Sequence, residues 1–408
     1  MHQSRVKGRV HRPVGEAMMR SIWFRSVMLL LGAMLAWLPG VASAQTIKVG
    51  IIGQFSGPFA ESGMQFRQGI ETYLGMHDGK LGGRAVEVIY RDVGGSNPAV
   101  ARRLAEELIV RDKVAMLGGF YLSPAASAVA QVIEETATPA VIFNAASRQI
   151  VTQSKYFVRT GQSLYQASVP PAQWALKQGR RRAWIAVADY APGYDVQRYF
   201  KESFTAGGGT IVGEDRIALN TVDFSVYAQR IAAAAPDVLE IFIPTGAPSV
   251  GFIKALAAQG VLGGKTVVIG SAEVDDTELH LFDRQVEGVY SCLFYLPALD
   301  NPANHAFRSA LAARFGAAVI PNFAMVGAFD GMAVMARMVE AQTDGGFSGD
   351  KAMAAVRGYA WDSPRGPVRI DPQTRDIIQN EYIRRVVAGP GGLGNVVVDS
   401  VLIRDPHQ

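Results

Sequence analysis

The sequence predicts an α/β protein of two lobes facing each other across a cleft. Three observations carry this. Short β-branched runs alternate with amphipathic helical segments from residue 47 onward, the alternation restarts after about residue 165, and 408 residues are too many for one ordinary core. A chain of that length suits two domains of roughly 150–200 residues.

In the first series, residues 47–52 form a β-branched run closed by Gly53. Residues 65–76 then place Phe66, Ile70, Tyr73 and Leu74 on one helical face. Residues 86–90 read as a strand. Asn97-Pro98 reads as a cap and first helical residue, with Val100, Leu104 and Leu108 continuing at i, i+4. A strand over 114–117, a helix over 123–136 and a strand over 139–143 complete the series. This order implies parallel strands joined by crossover helices. The second series holds strands at 184–188, 238–243 and 266–269, with helices at 194–205 and 249–259 and another capped by Asp223. Helices over 302–315 and 324–341 and late strands over 366–370 and 382–387 follow.

Composition narrows the function. Hydrophobic residues make up 49% and charged residues 19%, a folded rather than a disordered composition. The net charge of +4 resides in the first 44 residues, where Arg5, Lys7, Arg9, Arg12, Arg20 and Arg25 face only Glu16. The remainder is close to neutral and carries no electrostatic footprint for nucleic acid. Arg20 and Arg25 precede the apolar run 27–38, and Ala42-Ser43-Ala44 follows. This predicts a cleavable export signal over 1–44 and a periplasmic mature chain. The run is too short to span a bilayer, which needs about 20 residues. Translation from Met18 or Met19 would leave a shorter leader.

The single cysteine, Cys292, lies in an apolar run and reads as a buried hydrophobe. No G-x-S-x-G, H-E-x-x-H, C-x-x-C or Walker A sequence is present, and the glycines after the first strand lack the G-x-G-x-x-G spacing. His77, His280, His305 and His407 do not stand at metal-ligand spacing. The expectation is therefore no enzyme, no metal and no cofactor.

The informative segments follow strands. Residues 54–63 join the first strand to its helix and contain Ser62. Residues 118–124 bring Phe120, Tyr121 and Ser123, with Ser123 as N-cap and Pro124 as first helical residue. Asn144-Ala145-Ala146-Ser147 follows the next strand. Small residues, hydroxyls and free N–H groups on one rim suit a carboxylate or amide oxygen held by helix dipoles, with Phe120 and Tyr121 as apolar wall. From the second lobe, Tyr190 and Tyr194 in residues 189–194 are placed to cover the ligand. Each segment taken alone also reads as an ordinary turn or cap.

These segments, in order, resemble the periplasmic leucine/branched-chain amino-acid-binding proteins, the type I solute-binding proteins of ABC transporters. The resemblance runs from Ile47-Lys48-Val49-Gly50, Ser56-Gly57-Pro58 and Ser62-Gly63 through Arg91-Asp92, Asn97-Pro98, and Gly118 to Ser123. It continues through Phe157-Val158-Arg159-Thr160, Asp223-Phe224-Ser225, Phe329-Asp330 and residues 363–371. It implies two Rossmann-like lobes on a three-crossover hinge, lobe 1 over 45–162 plus 296–379 and lobe 2 over 163–295 plus 380–408. It also implies a monomer that carries a small organic ligand to an inner-membrane permease.

The family pattern implies carboxylate anchoring at Ser123, Ala146 and Ser147, beside Ala145. An aromatic usual near Ser62 is here a small residue. A second-lobe acid that takes the ammonium of amino-acid ligands matches Ala272, with Glu273 one place on. The Asp-Tyr-x-Pro-Gly form of residues 189–193 resembles the branch for amides and aromatic acids. Branched-chain amino acid, amide and aromatic acid thus stay open as ligands. A sensing role with a chemoreceptor or kinase, or an enzyme with an unfamiliar site, are the alternatives.

Overall fold

The structure, a computed structural model, describes residues 1–2, 6–9, 46–343 and 346–406. Residues 1–45 are a unit separate from 46–408. The apolar run and cleavage site of the expected export signal, like His407, lie outside the described residues.

Two sheets organise the unit from residue 46. The first is built from β1 (Ile47–Gly53), β2 (Lys80–Leu81), β3 (Arg84–Asp92), β4 (Met116–Gly119), β5 (Ala140–Ile142) and β6 (Phe157–Arg159), in the order β2-β3-β1-β4-β5-β6. All but β2 pair in parallel. Its intervening helices are α1 (Ala60–Met76), α2 (Pro98–Glu106) and α3 (Ser123–Thr136). The strands are buried on both faces, so they read as near-continuous apolar runs.

After α4 (Leu164–Lys177) the chain repeats the pattern with β7 (Arg182–Ala188), α5 (Ala191–Ala206), β8 (Thr210–Ile217), α6 (Ser225–Ala234), β9 (Val238–Phe242), α7 (Ala247–Ala258), β10 (Val267–Gly270) and β11 (Tyr290–Leu293). Side chains along β7 alternate by period two. Ala183, Ile185 and Val187 join the core with α4 and α5, whereas Ala186 and Ala188 join that with α6 and α7.

The chain then returns to the first core with α8 (Pro302–Phe315), α9 (Phe323–Glu340) and α10 (Gly349–Val356). It ends in an antiparallel arm, β12 (Ala360–Ser363), β13 (Gly366–Ile370), β14 (Ile377–Gly389) and β15 (Gly392–Ile403). β14 pairs antiparallel with β11, and its Ile377 packs in the first core while Ile383 and Val386 pack in those of the second sheet. β14 therefore physically joins the two halves.

The structure departs from the sequence expectation at several helix starts. Ser123 is not the N-cap of α3: Leu122 is, Ser123 is the first helical residue, and its hydroxyl makes no capping bond. α1 begins at Ala60, so Ser62 sits in a helical turn rather than a loop, its Oγ donating to the Phe59 carbonyl at 2.7 Å. α5 begins at Ala191 rather than Tyr194, and Asp223 caps α6 from one residue outside Phe224, accepting from the Ser225 N–H at 2.9 Å. β8, α4 and β15 were not anticipated. α4 carries Pro170-Pro171 in its interior, and β15 exposes Val396, Val397 and Val398 in a row, so neither shows the usual periodicity.

Cys292 is fully buried in β11, and burial pushes its thiol well above the usual range. Among the described residues no helix is long and apolar enough to cross a membrane, and no cluster of His, Cys, Asp or Glu is arranged to hold a metal ion.

Candidate functional site

In parallel sheets the carboxyl ends of strands on either side of a topological switch leave a crevice. Here the first sheet switches between β1 and β4 and the second between β7 and β9. The two crevices share one cavity of about 70 Å³. At about 10–15 Å³ per water, that is room for one small molecule.

The segments after β4, β5 and β6 supply Tyr121, Leu122, Ser123, Asn144, Ala146 and Gln162. Those after β7, β9 and β10 supply Tyr190, Pro192, Ile243, Pro244, Thr245, Ser271, Ala272 and Glu273, while Phe242, Leu293 and Phe323 close the apolar wall. The approach is tight enough to demand glycine twice. Gly119 has φ +107°, and a Cβ there would lie 2.3 Å from the Ile52 carbonyl oxygen. At Gly193 a Cβ would meet the Ala188 carbonyl oxygen at 1.9 Å, so only glycine lets α5 start against the end of β7.

The N-termini of α3 and α5 both reach the cavity, through Leu122-Ser123 and Tyr190-Pro192. Their dipoles and free N–H groups favour an anion. No lysine or arginine lines the space. Because Ser123 Oγ is released from capping, it accepts the Ser147 N–H at 3.1 Å and keeps its own hydrogen to donate. The Tyr121 hydroxyl bonds Thr245 Oγ1 at 2.7 Å and so ties the two halves together. Burial pushes its pKa up to about 12, keeping it protonated. Tyr190 stacks on Phe242 with centroids 6.3 Å apart.

Glu273 is 2% exposed. Its Oε1 accepts the Ile243 N–H at 2.8 Å and its Oε2 the Ser271 N–H at 2.7 Å. Burial raises its pKa to about 7 despite these bonds. Each carboxylate oxygen thus accepts a main-chain donor, and burial disfavours the charged form.

Of the residues singled out in the sequence, Tyr121, Ser123, Ala146, Tyr190 and Glu273 line the cavity; Ser62, Phe120, Ala145, Ser147 and Tyr194 do not. Phe120 and Ala145 are fully buried in the first core. Phe120 sits at φ +64°, and that turn directs its ring inward, leaving the wall to Leu122 and Phe242. The Tyr194 hydroxyl donates to Asp189 on an exposed face. Ser147 Oγ donates to Asp195 of α5 at 2.7 Å, and the Arg148 N–H reaches the same oxygen at 2.9 Å. Arg148 itself lies between the rings of Tyr165 and Tyr199, 4.7 and 5.0 Å from their centroids, with its Nε 2.7 Å from Asp405. This cluster fastens the halves beside the cavity.

Gln162, Thr245, Phe242, Ser271 and Phe323 line the cavity without having been singled out. Thr245 and Ser271 stand three and one residues past a strand end, so the strand-end rule that found Ser123 would have reached them. Gln162 follows β6, which was not recognised as a strand.

Residues 46–390 match the model of a family described as periplasmic binding protein. The chain belongs to the periplasmic binding protein family. This binding protein is 38% identical to Leu/Ile/Val-binding protein homolog 6 of Brucella melitensis biotype 1, over 90% of its own length and 94% of the relative's. Among solved structures it resembles a solute-binding protein of an ABC transporter from Rhodopseudomonas palustris HaA2 in complex with p-hydroxybenzoic acid. Identity there is 39%, the TM-score 0.84, and coverage 88% of this chain and 97% of that one. It also resembles one from R. palustris BisB5 in complex with 3,4-dihydroxybenzoic acid, at 37% identity and a TM-score of 0.83, covering 89% and 99%. The binding protein has the type I fold of two Rossmann-like lobes. It is the extracytoplasmic solute-binding component of an ABC importer, taking a small ligand in the cleft and working with a permease.

Proposed function

We propose that the ligand is an aromatic carboxylate, held without catalysis between the lobes. Glu273 carries this reading. An amino-acid ligand needs a counter-charge for its ammonium, because a buried unpaired ammonium is costly. Among the described residues Glu273 is the one carboxylate lining the cavity, and it already accepts two main-chain N–H bonds while burial disfavours its charged form. The opposite need, donors for a carboxylate, is met by Ser123 and the N-termini of α3 and α5. Tyr190, Phe242 and Phe323 offer flat apolar surface for a ring. Three solved relatives above 35% identity are in complex with hydroxylated benzoic acids, which supports the same class.

On this reading Tyr121, Ser123, Ala146, Tyr190 and Glu273 shape the site, and Ser147 acts on closure through Asp195. The lobes divide at residues 162–163, 295–296 and 379–380, residues 1–44 direct export and are cleaved, and the mature chain acts as a monomer. Ligand contacts to both lobes stabilise the closed form.

A thermal-shift series on the purified chain tests the class. Benzoate, 4-hydroxybenzoate and 3,4-dihydroxybenzoate are expected to raise the unfolding temperature, at saturation by an amount set by ligand concentration over Kd. Leucine, valine and small amides are expected to leave it unchanged. Stabilisation by leucine and not by any aromatic acid would reject the proposal. Ser123→Ala is expected to weaken the bound aromatic acid about ten- to hundredfold, as for a lost hydrogen bond to a charged group. Calorimetric titration giving an unchanged Kd would remove Ser123 from the anchor.

A further inference from the structure

Most polar side chains lining the cavity are already engaged. Tyr121 and Thr245 bond each other, Asn144 Nδ2 donates to the Tyr121 carbonyl at 2.9 Å, Ser123 accepts from Ser147, and Glu273 accepts two N–H groups. Gln162 differs. Its Nε2 donates to Ser271 Oγ at 3.1 Å, but its Oε1 is buried and has no hydrogen-bond partner. Among the cavity-lining residues it is the fully buried side-chain oxygen left in that state.

The amide is held firmly. Gln162 is 7% exposed, and the next residue, Ser163, caps α4 in a reciprocal capping box with Gln166. On the other side, the Ser271 N–H is bonded to Glu273 Oε2 and the Ser271 carbonyl accepts from Arg384. The Gln162–Ser271 bond joins one partner from each sheet's strand ends and places Nε2 on Ser271, with Oε1 left as the open acceptor.

A buried acceptor without a donor is costly, and a ligand that supplies the donor recovers that cost. A carboxylate cannot, having no hydrogen at neutral pH. An ammonium would favour an anion over a neutral amide, and the nearby anion is occupied. A hydroxyl donates one hydrogen to a neutral acceptor and carries no charge to desolvate.

We infer that Gln162 is a specificity-determining residue that reads a ring hydroxyl, its Oε1 accepting the ligand O–H while Nε2 stays on Ser271. This rests on the aromatic-carboxylate reading and adds the second polar group of the ligand. The binding protein discriminates hydroxylated from unsubstituted benzoic acids, and it does so through a neutral contact that leaves the ring apolar.

Calorimetric titration of the full chain with benzoate, 3-hydroxybenzoate and 4-hydroxybenzoate tests it. At least one hydroxylated acid is expected to bind about tenfold or more tightly than benzoate. Gln162→Met is expected to bring that ratio within about twofold, with circular dichroism and urea unfolding of the variant reporting that it is folded. Equal binding of all three acids by the unaltered protein overturns the inference without any variant, and leaves the aromatic-carboxylate reading standing. A ratio preserved in Gln162→Met does the same. Binding of none of the three overturns both together.

Discussion

Replacing Arg159 with methionine is expected to destabilise the fold by about 3–5 kcal/mol, the cost of breaking a buried ion pair from one side. Arg159 is fully buried at the end of β6. Its Nε and Nη2 donate to Asp376 Oδ1 and Oδ2 at 2.5 and 3.0 Å, a two-pronged geometry that a lysine cannot reproduce. Its Nη1 donates to the carbonyl oxygens of Ala145 and Ser147 at 3.2 and 2.8 Å. One guanidinium therefore ties the segment before β14 to the loop after β5 that carries Ala146 into the cavity.

The methionine takes the guanidinium away from Asp376 and releases two loop carbonyls at once. Urea unfolding should show the loss, and affinity for an aromatic acid should fall with it, because the loop sets the position of the Ser147 N–H on Ser123. A stability change below about 1 kcal/mol would mean that the network contributes little. A full loss of stability with unchanged affinity would separate the fold role from the site.

Stability is also expected to fall as pH rises from about 4.5 to about 8, and Glu381→Gln is expected to make that fall shallower. Glu381 is fully buried on β14. Its Oε1 accepts from Gln379 at 2.9 Å, and its Oε2 has no hydrogen-bond partner. Burial raises its pKa from the ordinary 4.5 to about 8, outweighing Gln379, Arg365 and Arg384, which act the other way.

An acid whose constant is raised on folding holds its proton longer in the folded than in the unfolded state. Its contribution is then complete below the unfolded value of 4.5 and is lost as pH climbs to the folded value. While pH lies between the two, each such group contributes a slope of about 1.4 kcal/mol per pH unit. Glu273 and Glu278 act in the same direction up to about 7, and burial also raises Glu240 well above its ordinary value, so the difference between wild type and Glu381→Gln isolates Glu381. Urea denaturation at pH 5, 6, 7, 8 and 9 on both proteins measures it. Parallel stability curves for wild type and Glu381→Gln would refute the assignment.

Much of the architecture was legible because local signals and tertiary need coincide. β1, β7 and β9 are buried on both faces and so are written as apolar runs. Asn97 and Asn301 cap their helices ahead of a proline, with the side chains accepting N–H bonds as their position requires. The rim segments were found because helix starts after parallel strands lie where crevices form. The antiparallel arm was half missed, since β15 is an edge strand whose outer valines face solvent and break the alternation.

The site divides the same way. Sequence by itself pointed to three of the segments that meet at the cavity, residues 118–124, 144–147 and 189–194, because helix starts after parallel strands lie where crevices form. It did not point to those after β6 and β9. Only the tertiary structure decided what each residue there does. Ser123 and Ser147 look alike in the sequence, yet one hydroxyl faces the cavity and the other holds Asp195. Glu273 sits beside the position where the family resemblance places an ammonium partner, yet it accepts the neighbouring Ser271 N–H and, from the end of β9 thirty residues back, the Ile243 N–H. Those roles depend on which donors arrive from distant segments, and a linear sequence does not encode such meetings locally.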